Sequence, residues 1–241
     1  MVPFKPCCTS GLSVPYNGLS ANGRFFLWLY RDTGNVRYLE IATSLAKYVR
    51  AGMSFLPDGT MAMPYWPAGS LPYTGWNNNT ANRLYSQSAP NSAVEDVSHF
   101  SQTLHFMIEA RQMGVVFRDE DLMAVARTFV QRLWKPGRTD NVCELDPSKG
   151  FYLAHGLDGK GRAYDYASSA FALLSRYDPS IRSRACMVYL ARYKNMECND
   201  IDSVGGQILQ GWSILSIEGR AAGSLVREKP LHPLNQIISS R

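Results

Sequence analysis

Residues 18–34 read GLSANGRFFLWLYRDTG, and residues 36–53 read VRYLEIATSLAKYVRAGM. In the first run Leu19, Phe26, Leu29 and Tyr30 fall on one side of a helix of about four turns, with Gly34 as its stop. The second repeats Leu39, Ala42, Leu45, Ala46 and Val49 at helical spacing and closes at Gly52. Two amphipathic helices separated by so short a turn fold back on one another, each covering the other's apolar stripe. The unit is a helical hairpin.

The unit recurs downstream. VEDVSHFSQTLHFMIEARQMG, residues 94–114, is followed by DEDLMAVARTFVQRLWK, residues 119–135. The acidic opening of the latter, Asp119, Glu120 and Asp121, suits the positive end of a helix dipole. GRAYDYASSAFALLSRY (161–177) and PSIRSRACMVYLARY (179–193) make a third pair, broken at Asp178, with Pro179 in the first turn of the next helix. A seventh helix is predicted over SVGGQILQGWSILSIEG (203–219), and the tail from Arg227, with its two prolines, is extended. Between the first two hairpins, residues 55–93 hold too much Pro, Gly and Asn for a helix, and their Pro-Asp-Gly signal starts a small strand pair. Loops of this length are functional or mobile. The expectation is an all-α fold of repeated antiparallel helical hairpins, with a small strand pair in a loop.

The 241 residues, 45% of them hydrophobic, suffice for one core, so residues 1–241 are expected to form a single helical-hairpin domain. The 25 Lys and Arg against 20 Asp and Glu leave a net charge of +5, which favours an anionic partner without naming one. These charges are dispersed, and no basic run of the kind found in nucleic-acid tails occurs. Five cysteines (Cys7, Cys8, Cys143, Cys186 and Cys198) show neither a CxxC pair nor zinc-site spacing, and their odd number leaves at least one thiol unpaired within the chain. No metal and no cofactor is expected. Phosphate-loop and nucleophile-elbow motifs are absent, and Asp200 and Asp202 lack the rest of a calcium loop. No apolar run is long enough to span a bilayer, and MVPFKPCC lacks the regions of a signal peptide. The expected location is cytoplasmic, or periplasmic or secreted had a leader been removed.

The chemistry concentrates at EDVSH, residues 95–99. Glu95 or Asp96 at a helix start is favoured by unpaired backbone N–H groups, which is a purely structural role. His99 lies three residues after Asp96 and four after Glu95, so one helix face can also present a carboxylate bonded to an imidazole, an arrangement that orients a base. His105, six residues on, turns away from that face and reads as a packed or surface residue. The preceding loop supplies Tyr65, Trp66, Tyr73 and Trp76, platforms for the apolar face of a sugar ring or seals on the helices, together with the donors Asn77, Asn78, Asn79 and Arg83. Asn17 and Arg24 on the first helix can bind a carboxylate, or are a turn Asn and a solvated Arg. Tyr164, Asp165 and Tyr166 at a helix start can face the same rim, or are ordinary packing residues of an amphipathic helix.

Taken together, PYNGLSANGRFFLWLYRDTGNVRYLEIATSLAKYV, PDGTMAMPYWP and EDVSHFSQTLHFMIEARQMGVVF resemble the (α/α) toroids of carbohydrate-active proteins, especially the C-terminal domain of glucuronyl C5-epimerases, over roughly residues 14 to 135. The chain is short for six hairpins, so the resemblance implies an incomplete toroid. It also implies an acidic, uronate-containing oligo- or polysaccharide as substrate. The implied reaction is proton abstraction at C5, ending in epimerisation or, where the C4 substituent leaves, in β-elimination as in a polysaccharide lyase. His99 is then the base or acid, Glu95 or Asp96 its orienter, Tyr164 or Tyr166 the second proton-transfer group, and Asn17 and Arg24 the carboxylate binders. Two alternatives stand beside this: a glycoside hydrolase using Glu95 or Asp96 with Asp165, and a non-catalytic glycan-binding or scaffold domain.

Overall fold

The computed structural model describes residues 13–75, 90–136, 151–161, 163–164, 168–182 and 184. Helix is the main component of these residues. Helix α1 (Tyr16–Thr33) ends at Gly34, whose φ of 69° is the left-handed turn that glycine adopts without strain. Helix α2 (Val36–Ala51) starts on the side chain of Asn35, which accepts the Arg37 N–H. The expected first hairpin is present, with Ala42, Ala46 and Val49 buried.

The core face of α1 differs from the expected one. Its buried residues are Tyr16, Asn17, Ser20, Gly23 and Leu27, whereas Leu19 and Phe26 are only partly buried. Phe26 stacks on Tyr38 of α2, 6.1 Å between centroids. The more deeply buried side faces α4 (Val97–Gln112), where Ser20 Oγ donates to Thr103 Oγ1 at 3.1 Å. A Cβ on Gly23 would stand 2.3 Å from the Phe106 ring, so the small residue sets how closely the two helices approach. Large apolar residues report the α2 side of α1, but small ones make the α4 side. The pairs Ser20–Thr103 and Arg24–Glu109 advance together along both helices, so α1 and α4 run parallel.

The Pro-Asp-Gly turn joins β1 (Ser54–Phe55) to β2 (Met61–Ala62), antiparallel as expected. Asp58 accepts from the N–H and hydroxyl of Thr60 and from Arg132, which together hold its carboxyl well below the usual range. A one-turn helix, α3 (Leu71–Thr74), interrupts the loop that was expected to lack helix. Helix α5 (Asp119–Thr128) begins at the acidic run, and Asp121 caps it by accepting the Arg118 N–H at 3.0 Å. Asp121 is also gripped by both arms of Arg50, at 2.9 and 3.0 Å, which ties α2 to α5.

Beyond Thr128 the structure departs from the expected helices. A π turn over Phe129–Leu133 leads into β3 (Trp134–Pro136), which pairs antiparallel with β4 (Phe151–Ala154), and β4 pairs with β5 (Ala163–Tyr164). LWK therefore ends in a strand, and Tyr164 stands in a strand rather than at a helix start. Helix α6 (Ser168–Ala172) continues as a 3-10 turn over Leu173–Arg176. Helix resumes at Ser180, whose N–H is accepted by Asp178 Oδ1 at 2.9 Å, so the Asp178-Pro179 start signal holds. Phe100, Phe106, Phe129 and Phe171, all fully buried, unite α1, α4, the π turn and α6 in one core. No helix among the described residues is long and apolar enough to cross a membrane. The five cysteines, the seventh helix and the tail from Arg227 lie outside the described residues.

Candidate functional site

Before α4 begins, the chain runs extended and is held on both edges. On one side the Tyr65 N–H donates to Ala93 O at 2.9 Å and the Glu95 N–H to Met63 O at 2.8 Å. On the other, the Val97 N–H donates to His155 O at 2.8 Å and the Leu157 N–H to Glu95 O at 3.0 Å. Extended backbone sends successive side chains to opposite faces, so Glu95 and Asp96 enter different surroundings.

Glu95 turns into the core and is fully buried, and neither of its carboxyl oxygens has a hydrogen-bond partner among the described residues. Burial, and secondarily the charge of Asp96, push its pKa up to about 9. A carboxylate without a cation or donor is too costly inside a protein, so at neutral pH Glu95 is the uncharged acid. Asp96 is the N-cap of α4. One oxygen accepts from the backbone N–H of Ser98 and of His99, at 2.9 and 3.0 Å, and from the Ser98 hydroxyl; the other meets Nδ1 of His99. Burial works to raise its pKa, but these bonds prevail and keep it below the ordinary carboxylate value. The structural reading of Asp96 as a cap and the functional reading as an orienter of His99 are thus both realised by one carboxylate. With Asp96 ionised, Nδ1 carries the hydrogen and the lone pair of His99 resides on Nε2. The imidazole is 43% exposed, so it is open to a ligand in a way that Glu95 is not.

Tyr65 lies edge-to-face against the His99 ring, 5.1 Å between centroids, and against Trp66 at 5.0 Å. Its phenol is raised by burial, then by Glu95 and Asp96, so it stays a hydrogen donor well above neutral pH. Through its carbonyl it also receives the Tyr16 N–H at 3.3 Å, which joins the aromatic loop to the start of α1. The adjacent Asn17 is 8% exposed, and its Oδ1 has no partner among the described residues.

The structure therefore brings Asp96, His99, Tyr65 and Trp66 together, with Glu95 buried behind them and Tyr16, which Asn17 follows in α1, bonded to Tyr65 through its backbone. Arg24 belongs elsewhere. Its guanidinium bonds Glu109 Oε1 at 2.7 and 3.1 Å and covers the Trp28 ring, whose Nε1–H donates to Glu109 Oε2 at 3.0 Å. Glu109 is about 15 Å along α4 from His99, so Arg24 pairs α1 with α4 at a distance from the His99 cluster. His105 feels the same pair: burial lowers its pKa first and Arg24 adds to this, while Glu109 opposes. It shares nothing with His99, as its position on the helix implied. Trp76, Asn77, Asn78, Asn79, Arg83, Asp165 and Tyr166 lie outside the described residues, and Tyr164 is placed only by its backbone in β5.

Sequence reasoning missed how deeply Glu95 is buried and the part of Tyr16 in this cluster. Glu95 shares its side of the extended chain with the apolar Val97, both buried, whereas Asp96 is only partly buried, and that shared side is the signal that could have separated the two acids. Among the described residues no group of three or more His, Cys, Asp or Glu is arranged to hold a metal ion. Comparisons with models of protein families, with curated proteins and with solved structures find no match for this chain.

Proposed function

We propose that the Asp96–His99 pair and Tyr65 form an acid/base site acting on a uronate-containing oligo- or polysaccharide, by removal of the C5 proton. The observation that carries this reading is the pairing of a capped, ionised Asp96 with a partly exposed His99 whose ring touches a protonated tyrosine. Proton abstraction beside a carboxyl group needs a base on one side of the carbon and an acid for the return step. Nε2 of His99 serves as the base. Tyr65 takes the second role that sequence reasoning gave to Tyr164 or Tyr166, because it is the tyrosine in ring contact with His99. Trp66 offers a face for the sugar ring, and Asn17 a hydrogen-bonding group for the substrate.

Glu95 is a positioning residue in this scheme. Uncharged, it leaves Asp96 as the one ionised acid of the pair, so the negative charge that holds His99 is not doubled. The hydrolase alternative pairs Glu95 or Asp96 with Asp165, which lies outside the described residues. The parallel packing of α1 and α4 agrees with stacked hairpins, and an incomplete toroid remains part of this proposal.

The test is incubation in D2O with heparan, alginate, pectate and hyaluronan. Deuterium at C5, or ultraviolet absorbance from an unsaturated uronate, is the expected result. Binding to any of these polymers with neither product would reassign the domain to glycan binding without chemistry.

A further inference from the structure

The C-terminal end of α2, the β1–β2 pair and the 64–73 loop border a cavity of about 490 Å³, within the range of sites that hold a small molecule. Three tyrosines line it, Tyr16, Tyr48 and Tyr73, and its other polar side chains are the hydroxyls of Ser54 and Ser92. Among the described residues, no Asp, Glu, Lys, Arg or His belongs to the lining. Arg50, next to Ala51 in α2, is held by Asp121, and Lys47, next to Tyr48, is exposed outside the cavity.

Each tyrosine is placed by a different element. A Cβ on Gly52 would stand 2.3 Å from the Tyr16 ring carbon and hydroxyl, so the absence of a side chain at the end of α2 lets the phenol lie there. Tyr48, on α2, is 6.0 Å from Tyr16 between ring centroids and tilted against it at 39°. Tyr73 belongs to α3, where its N–H donates to the Ser70 hydroxyl at 3.4 Å, and the Asn91 N–H fastens this turn by donating to Pro72 O at 3.1 Å. Burial, then Tyr48 and Glu95, raise the Tyr16 pKa, so its ring is an uncharged phenol.

Aromatic rings present a negative face to a cation, and hydroxyl oxygens are acceptors, so this lining favours positive charge over negative. An anion entering it would lose its water without meeting a cation. A primary ammonium is strongly hydrated and would shed that water without meeting a carboxylate. A trimethylammonium group donates no hydrogen bond and is the kind of cation that ring faces hold without a counter-charge. We infer that this cavity binds a small molecule carrying a trimethylammonium group, held against Tyr16, Tyr48 and Tyr73. Ser54 and Ser92 offer partners to a hydroxyl on the same ligand, which makes an amino alcohol of the choline type the fitting class. The inference is independent of the acid/base reading at His99 and gives the chain a second class of ligand.

The experiment is a titration of the full chain, labelled with ¹⁵N, with choline, with neohexyl alcohol, the uncharged isostere in which carbon replaces the nitrogen, and with ethanolamine. Saturable shifts of the Gly52, Ser54 and Ala68 amides with choline, and binding of the other two weaker by at least about tenfold, are expected. Tyr48→Ala should weaken choline binding about tenfold, while Tyr48→Phe, which keeps the ring, should stay within about twofold of the parent. His99→Ala should leave it unchanged. Absence of saturable shifts with choline, or equal affinity for neohexyl alcohol, overturns the site. Sedimentation with phosphatidylcholine vesicles separates a free ligand from a lipid head: the chain should stay in the supernatant, and pelleting with the vesicles would overturn the assignment to a free small molecule. Because the readout is binding and not turnover, failure of C5 exchange would defeat the acid/base reading without touching this one.

Discussion

Replacing Glu95 by glutamine removes the proton equilibrium of a buried acid while keeping its shape. In the folded chain burial pushes this carboxyl up to about 9, against an ordinary value of 4.5, so the fold binds the proton more tightly than the unfolded chain does. Stability from this group is full below the unfolded value, declines as pH rises between the two values, and is lost once pH passes the folded one. The slope in that window is about 1.4 kcal/mol per pH unit, and the disadvantage already present at pH 7 is about 3 kcal/mol. Glu95→Gln carries no such penalty, although its amide needs partners that the carboxyl also lacks, a constant cost of about 1–3 kcal/mol. The pH dependence of the difference isolates the proton. Urea unfolding followed by circular dichroism at pH 6, 7 and 8 should show the variant gaining about 3 kcal/mol on the parent across the series. A difference that stays flat with pH would mean that Glu95 is ionised or exposed, and the reasoning about its burial would fall.

Other consequences follow from named contacts. Gly23→Ala should lower the melting temperature and cost about 1–3 kcal/mol, because the Phe106 ring occupies the place of the added methyl; an unchanged melt would show that α1 and α4 can separate freely. Arg50→Ala strands Asp121, which is 3% exposed, and should destabilise by about 2–3 kcal/mol, below the figure for a fully enclosed pair because Arg50 itself is 39% exposed. Arg24→Ala should reduce stability through Glu109 and Trp28 yet leave affinity for a uronate glycan intact; a loss of affinity in a chain with unchanged melting would restore Arg24 to the binding site.

The parts of the fold that were legible in the sequence are those set by neighbouring residues. Gly34 after α1, the Pro-Asp-Gly turn, the acidic start of α5 and the Asp178-Pro179 start each act within a few residues, and each appears where its chemistry predicts. The three-stranded β3–β4–β5 sheet was not legible, because Trp134 and Lys135 continue the helical spacing of α5 and become a strand only through pairing with Leu153 and Tyr152. Likewise, EDVSH announced a helix start and a carboxylate–imidazole pair from spacing alone. The inward turn of Glu95 depends on backbone bonds to Met63 and Leu157, each far away in sequence. The pairing of Arg24 was not legible for a similar reason: its partner Glu109 is 85 residues along the chain.

The most direct test of the acid/base account is the rate of C5 deuterium exchange in a uronate glycan, per folded molecule, for the parent chain and for His99→Ala, Tyr65→Phe and Asp96→Asn. The account predicts exchange in the parent, a loss of at least about 100-fold in His99→Ala and Tyr65→Phe with the helical spectrum preserved, and a smaller loss in Asp96→Asn, whose remaining oxygen still caps α4. Exchange that persists in His99→Ala at the parental rate, or variants that differ from the parent only in melting temperature, would contradict it and leave Asp96 and His99 as a helix start.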